Sequence, residues 1–393
     1  MQTAAQIQGF EFNTPKRILC ELGAISKLAD CCHSLGIQRP LIVCDAGIIE
    51  HGLLSKLEEA LAQSSQTISQ CVFANVESDP SEATIFMGIE KCQTHKADGV
   101  IALGGGSPMD VAKVIAVCSQ NSQTLKQMYG VNQVSGTRLP LILIPTTAGT
   151  GSEVTPIAII TTGEATKAGI VSPQLIPDIA ILDAQLTQNL PPHVTAATGI
   201  DAMVHAIEAY TSKLKKNIYS DMLAKQALVL LSQNIEAATF DGQNLVARQN
   251  MLLGACLAGQ AFANAPVAAV HALAYPLGGH FHIPHGLSNA LVLSHVMRFN
   301  LPEAEIQYAE LAPLIVPNLL PQQSTQSKAE ALIEHLSALV PHLHLPNRLR
   351  SLNIERSSLA MLANDAMQQT RLLVNNPKDV TLADALAIYE QAF

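Results

Sequence analysis

The sequence has no tryptophan, 4% aromatic residues and only 14% charged ones. Without aromatic platforms or a basic stripe it offers nothing for base stacking or for a phosphate backbone. With 23 Lys and Arg against 32 Asp and Glu, the net charge is −9, and nucleic acid is not expected as a partner. Disorder is excluded too, because a mean hydropathy of +0.23 with so little charge demands burial. There is no CxxC pair. The eight cysteines, Cys20, Cys31, Cys32, Cys44, Cys71, Cys92, Cys118 and Cys256, mostly sit in apolar stretches, as free thiols in a reducing cytoplasm would. A basic start followed by an apolar run is missing from the first twenty residues, so no signal peptide is expected.

Charge is also missing locally, since no Asp, Glu, Lys or Arg lies between Arg248 and Arg298. A membrane span would need about 20 predominantly apolar residues. Here Pro266, Pro276, the pair Gly278 and Gly279, Pro284 and five histidines interrupt the interval. Helices buried on all sides within a protein are expected instead.

At about 150 residues per domain, 393 residues make two or three domains. Short apolar runs at Pro40–Cys44, Gly99–Leu103, Leu139–Ile144 and Ile179–Leu182 alternate with helical stretches such as Gly52–Gln63 and Glu82–Lys96. Continuous rather than alternating apolar strands predict a parallel sheet covered on both faces, an α/β nucleotide-binding type of domain. After Pro191 and Pro192 strand signals nearly vanish and Ala-rich helical patterns continue to Phe393. The expected division is 1–188 for the α/β domain and 189–393 for an all-α domain.

Two loops carry phosphate-binding character. Gly104, Gly105, Gly106 and Ser107 follow a strand and open a helix expected over Met109–Cys118, with Asp110 in its first turn. Glycines there let the backbone approach a phosphate, and the helix amides point positive charge at it. A tight turn with a Ser-Pro helix start would give the same letters. The second loop, Pro145 to Glu153, offers Thr146, Thr147 and Thr150 without a basic residue. Ligands on open α/β sheets sit at the carboxyl ends of strands, so two such loops reinforce each other. Asp45, closing the strand at Pro40–Cys44, would accept hydrogen bonds from an adenosine ribose and repel a 2′-phosphate. It could equally cap the next turn.

Asp201 and His205 are four residues apart in a helical pattern and so share a face. Alone, such a pair is more often a hydrogen bond than a metal site. Downstream stand His271, His280, His282, His285 and His295. If buried, they need partners, and a cation would satisfy several at once. Spacing does not say which are ligands. Nitrogen and oxygen donors without thiolates suit Fe(II) or Zn(II).

Together the segments GGGSPMD, PTTAGTGSE, TGIDAMVHAIEAY and HALAYPLGGHFHIPHGLSNA, in this order, resemble the iron-containing (group III) alcohol dehydrogenase family over nearly the whole chain. The resemblance implies a Rossmann-like dinucleotide-binding domain, a helical domain and an active site in the cleft between them. It places the metal on Asp201, His205, His271 and His285, leaving His280, His282 and His295 as non-ligands. Gly104 to Ser107 with Asp110 match the pyrophosphate loop, Thr146, Thr147 and Thr150 the second cofactor loop, Asp45 the position tied to NAD rather than NADP, and Lys167 a lysine near the nicotinamide.

One departure stands out. Some relatives carry a second histidine four residues after the one matched by His271, and this chain has Tyr275 there. A phenol with a reference pKa of about 10 is a poorer base than an imidazole at neutral pH, and His282 is a substitute suggested by sequence proximity. The implied function is metal-dependent, NAD-linked hydride transfer between a small alcohol and its aldehyde, with Fe(II) or alternatively Zn(II), in a homodimer. The alternatives are a dehydroquinate-synthase-like lyase using NAD and a metal, and a non-catalytic nucleotide binder with a structural metal.

Overall fold

The computed structural model describes residues 9–64, 66–163 and 166–393. The first half runs β1 (Arg17–Cys20), α1 (Leu28–Leu35), β2 (Pro40–Val43), α2 (Ala46–Glu50), α3 (Leu53–Ala62), β3 (Cys71–Phe73), α4 (Glu82–His95), β4 (Gly99–Gly104), α5 (Gly106–Cys118), α6 (Leu125–Met128), β5 (Gly130–Val131), β6 (Leu141–Pro145), β7 (Ile157–Thr162), β8 (Thr166–Val171) and β9 (Ile179–Leu182). The second half is helical, with α7 (Pro192–Thr211), α8 (Ile218–Phe240), α9 (Leu245–Asn264), α10 (Ala269–Phe281), α11 (His285–Ile315), α12 (Thr325–His342), α13 (Leu359–Ala366), α14 (Thr370–Leu373) and α15 (Leu382–Ala392).

Six strands form one parallel sheet in the order β1-β9-β6-β4-β2-β3. Its burial explains the continuous apolar runs. In β4, Val100 and Ala102 pack into one apolar cluster while Ile101 and Leu103 pack into another on the opposite face. Neighbouring β2 divides its side chains the same way, Leu41 and Val43 against Ile42. From β2 the chain crosses to β3 at one edge, and from β4 it crosses to β6 on the other side. The reversal opens a crevice at the carboxyl ends of β2 and β4.

A small sheet, β5-β8-β7, was not anticipated from the sequence. It lies across α5, whose N-terminus starts at Gly106, three residues earlier than expected. Gly104 supplies the turn, with φ of +154° and a position where a Cβ would stand 2.7 Å from Pro108. Only glycine fits both demands.

The helical half has one large core centred on α7, α8, α9 and α11. Sixteen of the twenty residues of α7 are buried, which is why it lacks an apolar stripe. At Asn264 the chain bends by 107° into α10. Among the described residues no single helix is long and apolar enough to cross a membrane.

Candidate active site

On α7, Asp201, His205 and Glu208 fall at successive turns of one buried face. His271 lies in the first turn of α10, and His285 is the first residue of α11. Close helix contact brings them together. A Cβ on Gly286 would meet the Ala197 carbonyl oxygen at 2.4 Å, so glycine lets α11 start against α7.

One ligand atom from each of Asp201, His205, His271 and His285 lies within 4.8 Å of the other three. Oδ1 of Asp201 is 3.5 Å from Nε2 of His285, 3.9 Å from Nε2 of His271 and 4.0 Å from Nε2 of His205. Metal–nitrogen and metal–oxygen bonds of about 2.1 Å require tetrahedral ligand atoms about 3.4 Å apart. The three Asp201 separations lie within about 0.6 Å of that spacing. No other group of three or more His, Cys, Asp or Glu suited to a metal occurs among the described residues.

The surroundings prepare the donors. Nδ1 of His205 donates to the Gly149 carbonyl at 3.3 Å, and the ring stacks on Phe262 and His271. Nδ1 of His271 donates to Oε2 of Glu208 at 2.6 Å, leaving Nε2 as a lone pair. Oε1 of the same carboxylate accepts from the Val270 amide at 2.7 Å, so Glu208 also satisfies the otherwise uncapped start of α10. Burial pushes His205 down to about 3 and His285 to about 4, against some opposition from Asp201. Both are therefore neutral at physiological pH, as metal ligation requires. Burial alone would raise Asp201, but the three histidines and Asn289 outweigh it and hold the carboxyl below its usual range.

Next to these donors is a cavity of about 150 Å³, lined among others by His205, His271, His285, Tyr275, Phe262, Val267, Lys167 and Arg371. Lys167 projects into it and pairs with Asp79 at 2.5 Å. Tyr275 places its ring 6.0 Å from that of His285, and burial raises its phenol. A second cavity, about 500 Å³, follows the sheet crevice past Asp45, Gly105, Gly106, Ser107, Thr146 and Thr147. Gly106 and Ser107 line both, so the two adjoin there, and the smaller one reaches His205, His271 and His285.

The expected cofactor residues divide into two groups. Asp45 caps α2, its Oδ1 accepting from the Ile48 amide, and it also lines the crevice. Thr150 reaches the smaller cavity. Asp110 borders the cavity, but its oxygens accept from Ser152 Oγ at 2.6 Å and the Ile159 amide at 2.9 Å, which ties the second loop and the small sheet to α5.

Three histidines fall elsewhere. His282 is not brought to the cleft: it is exposed, with φ of +52°, closing the carboxyl end of α10. His280 is exposed as well and pairs with Asp365. The expectation that every histidine of the uncharged interval is buried fails for both, because water at a helix end satisfies an imidazole as well as a ligand would. His295 packs on α11 near Arg348, apart from the donors.

Sequence reasoning overlooked Glu208 and Asn289. Glu208 is the lone charged residue in TGIDAMVHAI and its continuation after Asp201, and Asn289 follows His285 by one turn. Helical spacing from the ligands was the available signal.

Residues 15–184 match the family described as iron-containing alcohol dehydrogenase, and residues 195–393 match its C-terminal counterpart. Long-chain-alcohol dehydrogenase 1 of Geobacillus thermodenitrificans is 39% identical over 377 residues, 94% of this chain and 93% of the relative. The 1,3-propanediol dehydrogenase of Klebsiella pneumoniae is 34% identical over 387 residues, 98% of this chain and 99% of the relative. A crystal structure of 1,3-propanediol oxidoreductase superposes with a TM-score of 0.95 at 33% identity, covering 98% of this chain and all of that one. Sulfoacetaldehyde reductase from Bifidobacterium kashiwanohense, in complex with NAD+, gives 0.84 at 27% identity over 98% and 99% of the two chains. With both halves matched and the donors assembled, the chain belongs to the iron-containing alcohol dehydrogenase family and is a nicotinamide-linked oxidoreductase of alcohols and aldehydes.

Proposed function

We propose that Asp201, His205, His271 and His285 hold the cation of this enzyme and that NAD lies along the crevice and the cavity beside them. The carrying observation is that the four donor atoms gather within 4.8 Å of one another beside a cavity that adjoins the crevice lined by Asp45. The adenosine would lie by Asp45, the pyrophosphate at the start of α5, and the nicotinamide toward Thr150 and Lys167. The carboxylate of Asp45 would disfavour a 2′-phosphate and so NADP.

When bound, the cation eases negative charge on the substrate oxygen while the nicotinamide exchanges hydride with the adjacent carbon. The protein holds the reactants and excludes water. Glu208 fixes the tautomer of His271, and the Gly149 carbonyl aims His205. Phe262 and Val267 give the cavity an apolar wall. Tyr275 is kept protonated by burial and so does not serve as a base at neutral pH.

The division at 1–188 and 189–393 is supported by the last strand ending at Leu182 and the helical half starting at Pro192. A homodimer would cover apolar surface such as Ile218, Tyr219 and Met222, each more than half exposed. Free thiols at all eight cysteines suit the cytoplasm. The family match sets aside the lyase and the non-catalytic binder.

The test is anaerobic loading with Fe(II), then NADH or NADPH formation over a panel of small alcohols with NAD or NADP, and reduced-cofactor consumption over the matching aldehydes. Steady NADH formation, lost on chelation, is expected. A fully loaded protein inert toward every alcohol and aldehyde would overturn the proposal.

A further inference from the structure

Arg371, on the short helix α14, is half-buried and lines the cavity beside the metal donors. The backbone that carries it is fixed. Nδ2 of the buried Asn375 donates to the Arg371 carbonyl at 3.0 Å and to the Val267 carbonyl at 3.1 Å, which ties α14 to the cavity wall. The guanidinium lies against β8, its Nη2 3.6 Å from the point where a Cβ on Gly169 would stand. Tyr275 is a further neighbour. Burial raises its phenol, and the positive charge of Arg371 opposes that rise.

The other charged side chains at this cavity have counter-charges. Lys167 pairs with Asp79, and Asp110 lies 3.7 Å from the Lys113 ammonium. A dication on the donors would be met by the carboxylates of Asp201 and Glu208. Arg371 has no such partner: Arg39, Arg138 and Arg298 meet carboxylates, whereas none among the described residues pairs with the Arg371 guanidinium. Arginine keeps its charge at every working pH, and holding that charge away from water without a counter-ion is unfavourable. A negative group entering the cavity would remove the cost, and the planar fork of the guanidinium matches a carboxylate.

We propose that Arg371 selects the substrate, the preferred aldehydes and alcohols of this enzyme carrying a carboxylate a few carbons from the reacting end. The guanidinium holds that carboxylate while the reacting oxygen faces the four donors. Tyr275, with its ring 6.0 Å from that of His285, connects the two ends of the site, so the chain between them is short. The inference rests on the metal and cofactor reading above. Its competitor is a contact of the guanidinium with the nicotinamide carboxamide, which would serve every substrate equally.

The test compares Fe(II)-loaded parent, Arg371→Leu, Arg371→Gln and Arg371→Lys in the NADH-dependent reduction of 4-oxobutanoate and 5-oxopentanoate. Each acid is set against a neutral aldehyde of the same shape, 4-methylpentanal and 5-methylhexanal, and circular dichroism checks the fold. The parent is expected to favour at least one acid over its neutral counterpart by roughly 10–100-fold in kcat/KM. Leu and Gln should abolish that preference, mainly by raising KM for the acid, and Lys should restore part of it. A parent that reduces the neutral aldehydes as well as the acids overturns the inference alone. So do Leu and Gln variants that keep the parental ratio while KM for NADH rises, which is the outcome the cofactor contact requires. Should Leu fail to fold, Gln and Lys decide. A loaded parent that reduces no aldehyde at all defeats the proposed function itself, and this inference with it.

Discussion

Oε2 of Glu208 accepts from Nδ1 of His271 at 2.6 Å, and both side chains are almost wholly buried. The contact spans two helices, and the other oxygen of the same carboxylate secures the first turn of α10 through Val270. One side chain therefore sets both where His271 stands and which of its nitrogens is free.

Glu208→Gln should weaken this arrangement without emptying it. The amide accepts through one atom only, so either the Val270 N–H or the His271 N–H loses its partner. Metal affinity is expected to fall roughly 10–100-fold, read by competition with a chromophoric chelator. Parental affinity in a folded variant would show that the contact does not orient the ligand.

How much of this was legible beforehand follows from what each pattern encodes. Asp201 and His205 share a face by helical periodicity, and His271 and His285 sit in an uncharged interval where polar groups are conspicuous. Nothing in that interval distinguishes His271 from His282, because exposure at the end of α10 depends on where the helix stops. The parallel sheet was legible from runs such as Gly99–Gly104, buried on both faces. The small sheet was not, since β5 has two residues and β7 and β8 are held by the tertiary contacts of α5. Glu208 and Asn289 escaped notice because a single polar residue in an apolar helix has no meaning until its neighbour across the interface is known.

At Asp45 the observed helix cap can be separated from the proposed contact with the ribose. Asn at this position can still accept from the Ile48 amide and cap α2, while the negative charge beside the adenosine end of the crevice disappears. Asp45→Asn should therefore leave thermal stability nearly unchanged and raise kcat/KM with NADP about tenfold, or about 1.4 kcal/mol. Unaltered discrimination between NAD and NADP would place the ribose elsewhere.

Tyr275 governs the pH profile by not titrating. Burial raises its phenol, so it stays neutral across the physiological range and contributes no ionisation there. Tyr275→His places an imidazole of reference pKa about 6.5 in the same cavity. Because burial in this cavity depresses its neighbours His205 and His285, the variant's kcat is expected to gain a limb on the acid side, below the ordinary imidazole range, that is absent from the parent. Superimposable profiles would remove this position from the proton path.

The metal-free protein should lose stability as the medium turns acidic. Burial holds His205 at about 3, His285 at about 4 and His295 at about 4 in the fold. The unfolded chain protonates the same rings near 6.5. Below that value the unfolded state takes up protons that the folded state refuses, so stability falls as pH drops from about 6.5 toward 4. Carboxyls raised by burial, Asp110, Glu153 and Asp221, oppose this. Glu153, raised to about 7 by burial, favours the folded state increasingly as pH falls from 7 toward its unfolded value. The depressed imidazoles, which His335 joins, take up their protons in the unfolded chain within this interval, so the unfolding midpoint of metal-free protein should decline between pH 7 and 5. In Glu153→Gln it should decline more steeply, because its opposing contribution is gone. Scanning calorimetry across that interval measures both. A midpoint that holds level in the parent and in the variant would mean that the imidazoles ionise in place.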